Sequence, residues 1–202
     1  MTIIRRPHPY SQFEANLLRQ QVHRIVKEKS FKEGGEYTLA SGKKSDYYLD
    51  LKPTLFDPEG SNVVAELILN ALDNTAADYV GGLATGAIPL AATVSLVSYK
   101  LGCPLPGFFV REKPKDHGTM KLIEGLAEGQ SLKGKRVVIV EDVTTAGGSA
   151  MTAIRAVQNA GGEVMRVISV VDREEGAEQF FRDQSIPFTA LFRASEFKSL
   201  PA

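Results

Sequence analysis

The sequence predicts an α/β fold in which an open parallel sheet is flanked by helices. Short apolar segments alternate with amphipathic helical segments along the chain, and such alternation is typical of parallel strands joined by helical crossovers. The segment RVVIV at residues 136–140 is β-branched with polar flanks, as expected of a central strand that is buried on both faces. No repeat or low-complexity tract interrupts the alternation.

The individual elements follow from periodicity and turn residues. Apolar residues at helical spacing from Phe13 onward predict a first helix that ends near Lys29. Residues 37–52 mix Gly, Ser and Lys with tyrosines, which predicts short strands joined by a turn at Ser41 and Gly42, with Tyr47 packed on the sheet. Helices are then predicted at residues 63–72, 88–100, 149–159 and 177–182, and strands at 79–83, 107–110, 136–140, 164–171 and 188–192.

The segment 111–133 stands apart because its sequence favours neither strand nor helix. It combines many charges with several glycines. Loops of this length are uncommon inside compact domains, and those that occur are usually functional or disordered. We therefore expect a flexible loop with a functional role.

Composition narrows the classes of function. The 202 residues contain 24 Lys and Arg against 24 Asp and Glu, so no overall charge favours nucleic acid or an anionic membrane. Cys103 is the only cysteine, which excludes an intrachain disulfide and a cysteine metal site. The N-terminus lacks the apolar run of a signal peptide, and no apolar stretch approaches the roughly 20 residues that span a bilayer. We expect a cytoplasmic protein without a fused second enzyme domain, and with neither nucleic-acid nor membrane partners.

The segment that carries the chemistry follows the predicted central strand. It reads Glu141, Asp142, Val143, Thr144, Thr145, Ala146, Gly147, Gly148 and Ser149, and a helix is predicted to begin at its end. In open α/β sheets, ligands bind at the carboxyl ends of the strands. Carboxylates accept hydrogen bonds from sugar hydroxyls, and glycines let the backbone approach an oxyanion closely. The N-terminus of the following helix favours a phosphate group.

Other interpretations of this segment are weaker. A plain strand–loop–helix connection, with Thr and Ser capping the helix, explains the glycines but not the paired acids and threonines. The sequence has neither the Gly-x-x-x-x-Gly-Lys-Ser/Thr of P-loop nucleotidases nor an early Gly-x-Gly-x-x-Gly of dinucleotide sites. A phospho-accepting aspartate at Asp142 would leave the glycine-rich continuation without a purpose.

The run VVIVEDVTTAGGS resembles the phosphoribosyl diphosphate (PRPP) signature of the type I phosphoribosyltransferases. The resemblance implies their fold, with an α/β core at residues 56–202 and a small N-terminal hood at residues 1–55. It implies that the two acids bind the ribose hydroxyls and that residues 143–149 bind the 5′-phosphate. Thr85 and Gly86, after an earlier predicted strand, match the family's pyrophosphate loop. Magnesium is the implied cofactor, held mainly by PRPP and not directly by the protein.

Within that family, the loop after residue 110 resembles the catalytic loop of orotate phosphoribosyltransferases. Arg111, Lys115 and His117 fall on matching positions. In that family the loop closes over the site of the neighbouring subunit, so the resemblance implies a homodimer in which residues 111–118 reach the neighbouring site. The alternative is a solvated run of charges.

Two further segments resemble the orotate-binding parts of the same family. Residues 37–50 are similar to the hood that covers the orotate ring, and Tyr48 is its expected contact. Arg173 matches an arginine that binds orotate, whose carboxylate a guanidinium clasps bidentately. An ordinary strand-end ion pair is the alternative for Arg173. Thr145 is the orotate contact expected from the PRPP loop.

The resemblance implies a reaction in which N1 of orotate joins C1 of PRPP, giving orotidine 5′-phosphate and pyrophosphate in the biosynthesis of UMP. Asp142 and Glu141 are expected to favour the cation-like sugar, while Arg111, Lys115 and His117 stabilise the leaving pyrophosphate. His117 is also placed to pass it a proton.

Three positions depart from the pattern of the family. Ala40, Gly86 and Glu112 stand where some members have lysine. These departures leave open a phosphoribosyltransferase for another base, which is the nearest alternative function. A non-catalytic PRPP-binding regulator is the alternative from a different class.

Overall fold

The computed structural model describes residues 10–38, 42, 44–72, 75–113 and 122–199. Its N-terminal part contains helix α1 (Gln12–Lys29) and an antiparallel hairpin of β1 (Phe31–Thr38) and β2 (Lys44–Leu49). Ser11 begins the helix with a capping box, in which its hydroxyl accepts from the N–H of Glu14 while the Glu14 carboxylate accepts from the N–H of Ser11. Gly42 in the turn has a φ of 80°. The predicted helix and short strands are confirmed.

Two helices connect the hairpin to the core. The four-residue helix α2 (Lys52–Leu55) is not predicted by the sequence pattern, because one helical turn shows no periodicity. Helix α3 (Pro58–Ala71) begins earlier than the apolar spacing at residues 63–72 predicts. Its start is set by Asp57, whose side chain accepts a hydrogen bond of 2.8 Å from the N–H of Gly60, and by proline at the first helical position.

The core is a six-stranded sheet whose strands alternate with helices. The elements are β3 (Tyr79–Leu83), α4 (Ala87–Lys100), β4 (Gly107–Val110), β5 (Ile123–Glu124), β6 (Arg136–Thr144), α5 (Gly148–Asn159), β7 (Glu163–Asp172), α6 (Ala177–Asp183), β8 (Phe188–Arg193) and a final 3₁₀ turn (Ala194–Phe197). The spatial order is β5-β4-β3-β6-β7-β8, and every pair is parallel except β4 with β5. The predicted α/β fold with an open, mostly parallel sheet is confirmed. No helix in the described residues is both long and apolar enough to cross a membrane.

Strand β6 is buried on both faces, as its β-branched sequence predicts. Val138 and Val140 pack into the part of the core that contains α1, α3 and α4. Val137 and Ile139 pack into the part formed with α5 and α6 on the opposite face. All four side chains are fully buried, and each contributes about 1.5–3 kcal/mol to the stability of the fold. The loop after β6 therefore begins at a strand that is buried on both faces of the sheet.

The prediction that residues 111–133 contain neither strand nor helix is wrong at β5. Ile123 and Glu124 pair with Val110 and Phe109 at the edge of the sheet. Two residues are too few to show a period in sequence, and this strand exists only because β4 offers it a free edge. Leu132 is also buried in the core, so the second half of the segment is part of the packed domain.

The last described residues fasten the hairpin to the core. Phe197 is buried, and its ring lies 5.8 Å from that of Phe31 in β1. The Lys198 ammonium contacts the Asp46 carboxylate at 2.9 Å. The hydroxyl of Ser199 donates a hydrogen bond of 2.7 Å to Glu33. The hairpin is thus held from the far end of the chain as well as by α1.

Candidate active site

Four parallel strands bring the predicted site residues to one edge of the sheet. Strands β4, β3, β6 and β7 are successive neighbours, so the residues that follow them emerge side by side. Arg111 follows β4, Thr85 and Gly86 follow β3, the loop 145–149 follows β6, and Arg173 follows β7. The segments predicted to bind PRPP and orotate therefore share the carboxyl edge.

The loop after β6 has the geometry of an anion-binding turn. Gly147 has a φ of 89° and precedes the first residue of α5, whose N-terminal N–H groups point out of the helix. Thr145, Ala146, Gly148 and Ser149 are exposed. A β-carbon at Gly148 would meet no atom within 4 Å. The backbone there is open to a ligand, which favours a phosphate at this turn.

Glu141 and Asp142 lie at the end of β6 in contrasting surroundings. Glu141 is 6% exposed, and its Oε2 has no hydrogen-bond partner among the described residues. Burial, together with the adjacent Asp142, raises the pKa of Glu141 to about 8, so it is mostly protonated at neutral pH. Asp142 is half-buried. Of the two acids, Asp142 is therefore the one accessible at the edge of the sheet.

The turn after β3, which is predicted to bind pyrophosphate, lies against this acid. A β-carbon at Gly86 would overlap the carboxylate of Asp142. The Ala84–Thr85 peptide bond in the same turn is cis. Glycine at position 86 thus permits the close approach of β3 and β6 at their ends, and a lysine there would require the acid to move.

Thr144 is placed differently from its neighbours. It is the last residue of β6 and is 2% exposed, and its hydroxyl has no hydrogen-bond partner in the described part of the chain. Its carbonyl accepts a hydrogen bond of 2.8 Å from the N–H of Arg173. The strand extends four residues beyond the predicted Val140, which turns this side chain inward. Its predicted contact with PRPP stays a prediction.

Arg111 is held by its own chain at the end of β4. Its Nε donates to the Lys113 carbonyl at 3.2 Å, and its Nη1 lies 3.9 Å from the Glu124 carboxylate. Glu124 belongs to β5, so the unpredicted strand positions a predicted site residue. Lys115 and His117 lie outside the described residues, and so does Ala40.

The hairpin places two tyrosines in different roles. Tyr47 is buried, as predicted, and stacks on Phe31 with ring centroids 5.3 Å apart. The guanidinium of Arg173 lies 4.6 Å from the centre of the Tyr47 ring, within the range of a cation–π contact. Tyr48 is 42% exposed, and its ring centroid is 5.8 Å from that of Tyr37. Tyr48 is therefore accessible to a ligand.

Arg173 forms the strand-end ion pair that is the alternative to orotate binding. Its Nε donates to the Glu175 carboxylate at 3.0 Å, and its side chain is only 7% exposed. The arginine is thus oriented by Glu175 and Tyr47 beside the end of β6. Its role toward orotate stays a prediction.

Lys52 lies within electrostatic range of these residues, although no sequence motif identifies it. Its ammonium interacts electrostatically with the carboxylate of Asp142 and with Tyr48, and it contacts Asp50 at 3.0 Å. The only signal in the sequence is an Asp-Leu-Lys tripeptide directly after the hairpin. Among the described residues, no group of three or more His, Cys, Asp or Glu side chains is arranged to hold a metal ion.

Comparison with known proteins identifies the family. The chain matches the phosphoribosyl transferase domain over residues 54–182, which include β6 and its loop. It is 52% identical to the orotate phosphoribosyltransferase of Bradyrhizobium diazoefficiens over 179 residues, which is 89% of this chain and 95% of that protein. The chain belongs to the orotate phosphoribosyltransferases.

Solved orotate phosphoribosyltransferases share this fold. The enzyme of Mycobacterium tuberculosis H37Rv in complex with Fe(III) dicitrate has a TM-score of 0.79 and 34% identity, covering 90% of this chain and 99% of that chain. The same enzyme in complex with PRPP has a TM-score of 0.74 and 32% identity, covering 89% and 98%. The predicted family and fold class are thus confirmed, while the contacts of individual residues stay predictions.

Proposed function

We propose that the protein transfers the phosphoribosyl group of PRPP to orotate, giving orotidine 5′-phosphate and pyrophosphate in UMP biosynthesis. The observation that carries the proposal is the end of β6. There two acids lead through the left-handed Gly147 into the N-terminus of α5, with exposed backbone between them. Membership of the orotate phosphoribosyltransferases supports orotate as the acceptor.

The residues at the sheet edge suit the parts of this reaction. The turn 145–149 binds the 5′-phosphate through backbone N–H groups and the hydroxyls of Thr145 and Ser149. N1 of orotate attacks C1, and the bond from C1 to pyrophosphate breaks with its electron pair on the departing oxygen. Asp142 stabilises the cation-like sugar that develops at C1 while one bond breaks and the other forms. Thr85 and Gly86 bind the leaving pyrophosphate.

The acceptor is proposed to lie between the hairpin and the end of β7. Tyr48 offers an exposed aromatic face, and Arg173 offers a guanidinium that is already oriented by Glu175 and Tyr47. A preoriented guanidinium suits a carboxylate, which orotate has and uracil or a purine lacks. Arg173 is the residue expected to select for orotate.

Magnesium is proposed as the cofactor. The ion would take its ligands mainly from the oxygens of PRPP and from water, as expected of an ion that keeps few protein ligands. Bound there, the ion would neutralise charge on the pyrophosphate.

We also propose a homodimer that completes each site. Lys115 and His117 belong to the loop that in this arrangement reaches the neighbouring subunit, joining Arg111 at the pyrophosphate.

A cytoplasmic location and a hood at residues 1–55 over a core at 56–202 complete the proposal. The buried contacts of Phe197 with Phe31 mean that the hood and the end of the core pack on each other.

The decisive experiment follows the ultraviolet absorbance of orotate after mixing protein, PRPP, magnesium and orotate. We expect a PRPP-dependent loss of absorbance that Asp142→Asn abolishes. Asp183→Asn is the matched control, because that carboxylate is exposed on the surface of α6 and accepts a hydrogen bond from Gln179 one turn earlier in the same helix. Turnover of uracil, adenine or xanthine in place of orotate would favour a different phosphoribosyltransferase. PRPP binding by calorimetry without turnover of any base would favour the regulator.

A further inference from the structure

Lys52 is held in place by one carboxylate. It is the first residue of α2, directly after the hairpin. Its backbone N–H and its ammonium both donate to Oδ1 of Asp50, each at 3.0 Å. An ammonium has three hydrogen-bond donors, and this side chain is 58% exposed. The hydrogen bond to Asp50 therefore leaves Lys52 able to bind a further group. Asp50 thus orients a cation that remains accessible to a ligand.

The ammonium lies within electrostatic range of residues at the carboxyl edge of the sheet. Its electrostatic partners beyond Asp50 are Asp142 and Tyr48. The carboxylate of Asp142 lies against Gly86, in the turn proposed to bind pyrophosphate. Lys52 on α2 is therefore within electrostatic range of an acid of β6, and that acid lies against the turn after β3.

The carboxylate of Asp142 lies beside the turn proposed to bind pyrophosphate, and Gly86 supplies no cationic side chain there. An ammonium from another element would add to the positive charge of magnesium and Arg111. Arg111 is directed toward Glu124 in β5. The contact with Asp50 raises the pKa of Lys52, so the side chain is fully charged at neutral pH.

We propose that Lys52 binds the pyrophosphate group of PRPP within its own subunit and stabilises the charge that develops there as the bond to C1 breaks. The proposal rests on the proposed function and adds a residue to it. Asp50 acts as a positioning residue, since it contacts the substrate only through Lys52. The charge of Lys52 does not change in the reaction, so the step requires no proton transfer from it.

The test replaces Lys52 with methionine, which keeps the length of the side chain and removes its charge. Inorganic pyrophosphate with magnesium is titrated by calorimetry, and KM and kcat are measured for PRPP and orotate. We expect pyrophosphate affinity and kcat/KM for PRPP to fall about 10- to 100-fold, the range for one charge-assisted hydrogen bond. The KM for orotate should change by less than about twofold, because the substitution removes no proposed contact with orotate.

Lys29→Met is the matched control. Lys29 also forms a carboxylate pair at 2.9 Å and is 41% exposed, but its partner is Asp57 at the start of α3. It should leave both ligands unaffected, and Lys52→Arg should recover part of the lost pyrophosphate affinity. Unchanged pyrophosphate affinity in Lys52→Met, or a rise in KM confined to orotate, would overturn the proposal. Lack of orotate turnover by the unaltered protein would instead overturn the proposed function, and the pyrophosphate titration would still decide the role of Lys52.

Discussion

Replacing Gly147 by alanine separates the conformational role of the phosphate turn from its role in binding. Gly147 has a φ of 89°, and an L-residue in the left-handed region costs about 1–2 kcal/mol. Its new β-carbon would lie 2.7 Å from Cδ1 of Phe180 and 3.0 Å from Cζ of Phe181. Phe181 cannot retreat, because it is fully buried and stacked on Phe188 at 4.9 Å.

The two costs add because they act on different degrees of freedom. Overpacking of a core by one methyl group costs about 1–3 kcal/mol, and with the backbone term the expected loss is about 2–5 kcal/mol. In a domain of this size each kcal/mol lowers the melting temperature by about 2–4 °C. Gly147→Ala should therefore melt about 4–20 °C lower than the unaltered protein.

Gly148→Ala is the paired measurement at the next position. A β-carbon there meets nothing within 4 Å, so stability should be unchanged or slightly higher, since alanine restricts the unfolded chain. The same β-carbon occupies the open face of the turn, so PRPP binding measured by calorimetry should weaken. Equal melting temperatures for the two variants would refute the backbone argument. Unaltered PRPP affinity in Gly148→Ala would refute the placement of the phosphate.

Two further predictions concern pH and the sheet. The pKa of buried Glu141 is raised from 4.5 to about 8, so its stabilising contribution is complete below the lower value and is lost as pH rises through the upper one. Glu141→Gln should thus gain in melting temperature over the unaltered protein as pH rises from about 5 to about 8, and a difference independent of pH would contradict this. The side chain of Arg136 lowers the pKa of Asp78 to about 2 through hydrogen bonds of 2.9 and 3.1 Å. The ion pair therefore stabilises the fold above pH 3.8, and this stability is lost as the pH falls toward 2. Asp78→Asn should cost about 1–2 kcal/mol near neutral pH by urea unfolding, and the cost should shrink on acidification; a constant cost would show that the ion pair is not its source.

The core strands were predictable because burial on two faces leaves a direct trace in sequence. The β-branched run ending at Val140 can be recognised without any tertiary information, and so can the glycines that follow it. The strand β5 could not be predicted, because its two residues are extended only through pairing with β4. The inward side chain of Thr144 follows from the same kind of effect, since pairing with Asp172 of β7 extends β6 to that point.

The site was predictable where a motif spans contiguous residues and not where it is assembled from separate elements. The acids and the turn after β6 are contiguous in the chain, so their location in one site can be predicted from the sequence. Lys52 is brought near them only by the path of the chain after the hairpin. The close approach of Gly86 to Asp142 depends on the pairing of β3 with β6. The packing of Arg173 on Tyr47 also requires the hairpin to be in place.

The attachment of Lys198 and Ser199 to the hairpin has a mechanical consequence. These residues contact Asp46 and Glu33, on β2 and β1 respectively, so the hairpin over the proposed acceptor site is attached to the segment that follows β8. Any outward movement of the hairpin that admits orotate must either break these polar contacts or carry the 3₁₀ turn and the residues after it along. Opening of the proposed acceptor site is thereby coupled to the packing of that segment.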